Sequence, residues 1–329
     1  MKYFNYPQKN LCHFFLFLAA WFLHLLSTGC GIPEEVHSSG KDEALQVLAT
    51  TTHLADLAIQ IGGNQIEVHA LMNPGVDPHS YRASAQDIRR LHQADLILYH
   101  GLSLEGKMAQ VLEGARHRGK NIFSPCVGLP TEKLIFAGGN KASIDPHLWF
   151  SPDLWLDCAR ALTYRLSQAL PEQGDTFRKN FLSFESSVKE MDQWGRSILK
   201  AVPLEKRILI TSHDAFQYFG KHFQVQVVGL QGINTMLEAG LADRTNLVNF
   251  IKRHKSPALF VESSVNPKAL KEIAKESGAV IGGTLFSDAL GMEEQTSVGP
   301  NGQIISTATW QGMMAHNLNT ISKALGQDG

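Results

Sequence analysis

The feature that most constrains the fold of this chain is a long segment in its middle, residues 172–201, that contains no proline. Apolar residues recur there at helical spacing: Phe177, Phe181, Phe184, Val188, Met191 and Ile198. Gly195 is a mild weakness inside the segment, since glycine has a low helix propensity. A helix of this length would cross a whole small protein, because each residue adds about 1.5 Å. The segment therefore predicts one linking helix, over residues 171–202, between two parts of the chain.

Both parts alternate short apolar runs with amphipathic stretches, such as the predicted helix over residues 104–116. The apolar runs that we interpret as strands are 45–51, 66–72, 96–99 and 121–123 before the long segment, and 207–211, 225–230, 258–261 and 279–281 after it. Alternation of this kind predicts parallel sheets. The expected fold class is therefore α/β. Two α/β lobes, residues 44–170 and 203–329, would each hold a mostly parallel sheet and would be joined by one long rigid helix.

The beginning of the chain has the pattern of an export signal. Lys2 and Lys9 precede an apolar run over residues 11–26, which is short for a membrane span and typical of a signal-peptide core. Small residues then lead to Cys30, the pattern of a lipoprotein processing site, although Ser27 stands where a large aliphatic residue is usual. We predict a signal peptide over 1–29, a lipid on Cys30 and a polar tether over 30–43. An uncleaved signal anchor with an incidental cysteine is the alternative.

The charge and the cysteine content bear on the possible partners of the chain and on its covalent links. The net charge is −1 and the basic residues are scattered, which argues against nucleic acid as a partner. Besides Cys30, Cys126 and Cys158 remain after the signal is removed. An exported domain allows a disulfide, but no short cysteine spacing indicates one, and two buried free thiols agree equally well with the sequence.

Four side chains are candidate metal ligands because each follows a strand or lies in a turning loop: His79 in NPGVDPHSY, His147 in IDPHLW, His213 after RILITS, and Asp288 after the last strand. Ligands of open α/β sheets bind beyond the carboxyl ends of the strands. Two candidates fall in each lobe, so a cleft between the lobes would gather all four.

Three imidazoles and one carboxylate suit a divalent transition-metal ion such as zinc, manganese or iron. Four protein ligands complete the shell of a tetrahedral ion, which favours binding over activation of water. Asp77 and Asp145, each two residues before a candidate histidine, are placed to orient its ring. Taken singly, each histidine is more often a surface or packing residue, and Asp288 has the alternative role of a helix cap. We expect surface or packing roles for the other histidines: His53, His69, His92, His100, His117, His222, His254 and His316.

Several segments, in order along nearly the whole mature chain, carry a family resemblance: NPGVDPHSY, ADLILYHGLSLE, DPHLWFSP, ITSHDAFQYFGKHF, LFVESSVNPKALKEIAKESG and LFSDALG. On these the chain resembles the metal-specific solute-binding lipoproteins that serve zinc, manganese and iron ABC importers. The resemblance implies two α/β lobes joined by a long helix and a metal ion bound by His79, His147, His213 and Asp288. It also implies a monomer without catalytic residues, lipid-anchored outside the cytoplasm, with an ABC permease as its partner.

Two departures from the family pattern bear on the metal. Manganese-type members often have glutamate where this chain has His213, whereas many dedicated zinc binders have a histidine-rich loop that is missing from residues 125–144. The resemblance therefore leaves zinc, manganese and iron open. His100 stands where many relatives have asparagine, which makes it a candidate for a position behind the ligands. The alternative functions are a metal-binding surface adhesin and a zinc metallohydrolase, although the HExxH and GxSxG motifs of hydrolases do not occur.

Overall fold

The computed structural model describes residues 44–137, 143–254 and 258–326. The predicted signal peptide, Cys30 and the whole tether lie outside these described residues. Within them, no helix combines the length and the apolar character that crossing a bilayer requires.

The first lobe is built on a four-stranded parallel sheet with the order β2-β1-β3-β4. Its strands are β1 Leu45–Ala49, β2 Ile66–Ala70, β3 Leu96–Leu98 and β4 Ile122–Phe123. Its helices are α1 Thr52–Gly62, α2 Ala85–Gln93, α3 Ala109–His117 and α4 Pro152–Ala169. Side-chain caps fix where three of these helices, α1, α2 and α4, begin. Ser84 and Asp87 form a capping box at α2, and Ser151 caps α4 just before a proline at its first position.

The second lobe repeats the arrangement with a parallel sheet of order β6-β5-β7-β8. Its strands are β5 Ile208–His213, β6 Gln226–Gln231, β7 Ala258–Glu262 and β8 Val280–Leu285. Its helices are α6 Gln217–Phe223, α7 Leu241–His254, α8 Lys268–Ser277 and α9 Trp310–Gly326. A small antiparallel hairpin, β9 Thr296–Val298 and β10 Ile304–Ser306, was not predicted. The predicted pair of α/β lobes with parallel sheets is confirmed.

The long helix α5 covers Gly174–Lys200, 27 residues, and so measures about 40 Å. It packs against α1 and α4 of the first lobe and against α9 of the second. Gly195 is a point of close packing rather than a weakness. A Cβ atom there would lie 2.8 Å from Leu318 Cδ1 and 3.0 Å from Phe223 Cε1, so the missing side chain lets α9 and α6 approach the helix.

One hydrophobic core is shared by both lobes. The largest buried cluster runs from Val47 in β1 through Phe184 in α5 to Phe219 in α6 and Trp310 in α9. Two smaller clusters fill the outer faces of the two sheets. Because separating the lobes would expose part of the shared core to water, the fold resists a wide opening of the cleft.

The predicted helix over 104–116 begins only at Ala109. The chain before it turns through left-handed backbone at Leu102 (φ 53°) and Ser103 (φ 67°). The buried carboxylate of Glu105 stabilises this turn, because it accepts hydrogen bonds from the backbone N–H groups of His100 (2.6 Å) and Gly101 (3.0 Å). The turn positions His100 so that its ring contacts the carbonyl oxygen of Pro146.

Candidate metal centre

The structure brings all four predicted side chains together in the cleft. His213 is the last residue of β5, and Asp288 lies three residues beyond the end of β8. His79 lies in the loop between β2 and α2, and His147 precedes a short 3-10 turn, Leu148–Phe150. One ligand atom from each residue lies within 4.8 Å of the others, and all four side chains are buried.

The distances inside this group match those around a small metal ion. His147 Nε2 lies 3.3 Å from Asp288 Oδ1, and His213 Nε2 lies 3.3 Å from Asp288 Oδ2. The two Nε2 atoms are 3.4 Å apart. Bonds of about 2.0–2.1 Å in a tetrahedral shell put neighbouring ligand atoms about 3.3–3.4 Å apart. The ring of His79 completes the group, with its centroid 5.5 Å from that of His147 and 5.9 Å from that of His213.

Two carboxylates behind the centre orient two of the rings. Asp145 Oδ1 lies 2.7 Å from His147 Nδ1, and Glu262 Oε2 lies 2.6 Å from His213 Nδ1. A carboxylate at Nδ1 keeps the proton there and turns Nε2 toward the centre. The orienting role predicted for Asp145 is thus present. Glu262 was missed, although a charged residue that ends the apolar strand LFVE was a usable signal.

Asp77 does not play the corresponding role for His79. Its carboxylate accepts from the backbone N–H of His79 at 2.8 Å and from the hydroxyls of Ser80 and Thr235, each at 2.7 Å. The Thr235 contact joins the two lobes at the cleft. Both ring nitrogens of His79 are buried and have no hydrogen-bond partner among the described residues. An ion in the cleft would supply this ring with the partner that it lacks among the described side chains.

Carboxylates set the protonation of two of the three imidazoles, and burial sets that of the third. Burial alone would lower the pKa of His147, but the charges of Asp145 and Asp288 outweigh it and raise that pKa to about 9. Burial is likewise outweighed at His213, where Glu262 and Asp288 raise the pKa well above its ordinary value. For His79 burial prevails and lowers the pKa to about 4. Burial would raise the pKa of Asp288, but His213 and His147 hold it well below its ordinary value.

Two other buried histidines adjoin the group without joining it. His100 Nε2 lies 2.6 Å from the carbonyl oxygen of Pro146, so this side chain supports the loop of His147. This is the position behind the candidate ligands for which the sequence makes His100 a candidate. The ring of His53 stacks on Trp149 at 4.4 Å, and burial lowers the pKa of His53 to about 3. The remaining histidines of the described residues are exposed or half-buried: His69, His92, His117, His222, His254 and His316.

Comparison of the sequence with known protein families shows to which family this chain belongs. The family described as zinc-uptake complex component A, periplasmic, matches residues 47–324, nearly the whole described chain. This chain belongs to that family. The expected family membership is confirmed, and with it the likeness to solute-binding proteins of metal ABC importers.

Individual family members are similar to this chain in sequence over most of their length. The manganese-binding lipoprotein MntA of Bacillus subtilis is 42% identical over 317 residues, which are 94% of this chain and 98% of MntA. The manganese ABC transporter substrate-binding lipoprotein PsaA of Streptococcus pneumoniae is 29% identical, over 93% of this chain and 97% of the PsaA chain.

The zinc-binding protein TroA of Treponema pallidum agrees in both sequence and structure. Its sequence is 37% identical over 85% of this chain and 88% of TroA. The solved structure of TroA superimposes with a TM-score of 0.80 and 34% identity, covering 86% of this chain and all of the TroA chain. The two-lobed architecture is therefore that of a family member with a known structure.

Proposed function

We propose that this protein is an extracytoplasmic solute-binding lipoprotein that captures one divalent transition-metal ion, zinc, manganese or iron, and delivers it to the permease of an ABC importer. The observation that carries the proposal is the convergence of His79, His147, His213 and Asp288, two from each lobe, at the spacing of a metal shell. The names of the relatives, which bind manganese or zinc, support it.

The enclosure of the four side chains favours carriage over catalysis. Each of the four is at most 1% exposed. A catalytic zinc ion usually has three protein ligands and one open position for water or substrate, whereas this centre offers four protein ligands. An ion bound here would be held as cargo between the lobes.

The deciding experiment measures uptake in the source organism. Deletion of the gene should abolish entry of the radiolabelled cargo ion, and the parent chain should restore it. We expect the purified protein to bind zinc more tightly than manganese or ferrous iron, because nitrogen-rich sites follow that order whatever the natural cargo is. We also expect that transport serves manganese or iron as well as zinc. Unchanged uptake of all three ions after deletion would disprove the transport role. If zinc alone rescued the growth of the deletion strain, the expectation that manganese or iron is also transported would be wrong.

The lipid anchor is a separate prediction of the same proposal. Replacing Cys30 with alanine should move the exported protein from the membrane fraction to the soluble extracytoplasmic fraction, because the attachment sulfur is lost. Membrane fractionation and mass spectrometry of the amino-terminal peptide measure this, and Cys126→Ala is the matched cysteine control. A Cys30→Ala variant that stays with the membrane would show that Cys30 does not carry the anchor.

A further inference from the structure

The two cysteines of the described chain lie side by side inside the first lobe. Cys126 lies in the turn after β4 and Cys158 on the buried face of α4, and their sulfur atoms are 3.4 Å apart. Both are free thiols in the structure, and both are at most 1% exposed. A disulfide needs a sulfur–sulfur distance of about 2.05 Å, so the pair is about 1.4 Å from bonding distance.

The same pair lies directly behind the loop of His147. Cys126 Sγ is 3.5 Å from His100 Nδ1, and His100 Nε2 is 2.6 Å from the carbonyl oxygen of Pro146. The turn of Cys126 is also fixed to His100 through Ser124, whose hydroxyl donates to the carbonyl of His100 at 2.6 Å. A bond between the sulfurs would therefore connect α4 to the segment that supports the metal centre.

A second metal site is the competing explanation for two adjacent thiols. A structural metal needs three or four ligand atoms at one point. Over the described ranges, the one group of at least three histidine, cysteine or acidic side chains placed to hold an ion is the centre in the cleft, whose ligand atoms lie within 4.8 Å of one another. His100 Nδ1 approaches one sulfur of the pair at 3.5 Å, but this trio is not such a group, so the two thiols are left with the hydrogen bond between them or a covalent bond.

We propose that Cys126 and Cys158 form a disulfide when the chain folds outside the cytoplasm. The inference rests on the proposed function in one respect, the export of the chain to a compartment where disulfides persist. The oxidant is an external disulfide, of a small molecule or of a protein. In the exchange that external sulfur–sulfur bond breaks and is reduced to two thiols, which receive the two protons lost by Cys126 and Cys158, while one new sulfur–sulfur bond forms.

The bond forms before the lobe is fully packed. Burial and the neighbouring Cys158 raise the pKa of the Cys126 thiol well above its ordinary value, and only the thiolate attacks a disulfide. In the finished fold both sulfurs are inaccessible. The disulfide closes a loop between positions 32 residues apart, and this loop contains His147. The four ligand side chains keep their places, so metal binding persists in both redox forms.

Peptide mapping of the full chain, purified after export, tests the proposal. The protein is unfolded in an alkylating reagent without reductant and then digested. We expect a peptide pair joined through Cys126 and Cys158, and alkylation of both residues only after prior reduction. Recovery of both cysteines in alkylated form without reduction would overturn the proposal.

A thermal measurement on the same protein supplies the second readout. Reduction under denaturing conditions, followed by refolding with reductant, should lower the Tm by about 5 °C, because the unfolded chain regains the freedom of the open loop. The Cys126→Ser/Cys158→Ser double variant is the control and should show no such dependence on reductant. An equal Tm for the oxidised and reduced parent chain would contradict the cross-link. Metal binding, measured separately on both forms, reports on the proposed function independently.

Discussion

Replacing Asp288 with alanine is expected to weaken metal binding at least about 100-fold. Loss of a residue that only orients a metal ligand typically costs 10–100-fold, and Asp288 would contribute a ligand atom itself in the proposed centre. Its carboxylate lies 3.3 Å from both His147 Nε2 and His213 Nε2 and is the only negative charge among the four side chains. Titration calorimetry against zinc and manganese measures the affinity and the stoichiometry.

Alanine at His79, His147 or His213 should give losses of similar size. His53→Leu is the matched control, because His53 is equally buried but contributes no ligand atom to the group of four. This variant should still bind one ion per chain. Circular dichroism should show all variants folded, and metal should raise the Tm of the control but not that of Asp288→Ala. One ion per chain bound at parental affinity by Asp288→Ala would place the site elsewhere.

The affinity for metal is expected to fall by about 100-fold for each unit that the pH decreases between about pH 8 and pH 5. Metal requires a free Nε2 on each imidazole. With the pKa of His147 at about 9 and that of His213 well above its ordinary value, both rings are protonated on Nε2 as well as on Nδ1 at neutral pH in the metal-free protein, whereas His79, with a pKa of about 4, is a neutral imidazole. Lower pH favours the protonated rings, so protons compete with the ion at two positions. Ordinary histidines, with a pKa of about 6.5, would lose the ion only below that value.

The same protonation states predict that about two protons leave the protein for each ion bound at pH 7. Calorimetry in buffers of different ionisation enthalpy counts the released protons. Asp145→Asn should reduce the number toward one, because the pKa of His147 then loses its strongest support. Binding that releases no protons at pH 7, or an affinity that does not change between pH 8 and pH 5, would contradict these protonation states.

Most of the fold could be predicted because its signals are local. Apolar strands such as 208–213 are buried on both faces, and the apolar stripe of α5 repeats at helical spacing over 27 residues. The hairpin β9–β10 was missed because its strands have three residues each, half of them polar. The late start of α3 was missed because left-handed backbone at Leu102 and Ser103 has no sequence signal comparable to glycine or proline.

The four candidate ligands could be selected from the sequence, since strand ends and the Asp-Pro-His motifs are visible there, and the structure brings these side chains together. The residues behind the candidate ligands could not be predicted, because contacts between segments distant in the sequence bring them there. Glu262 reaches His213 from 49 residues away, and only the pairing of β5 with β7 makes them neighbours. The repeated motif was misleading at Asp77, whose carboxylate bonds to Thr235 across the cleft instead of to the ring of His79.

The unequal support of the three imidazoles has a consequence for how quickly an ion could leave. The rings of His147 and His213 cannot turn without giving up a carboxylate contact, whereas the ring of His79 has no such contact among the described residues. An ion held by these residues would therefore detach from His79 with the smallest barrier. Exchange would begin on the side of the first lobe, and the residence time of the ion would depend on how often that one ring swings aside.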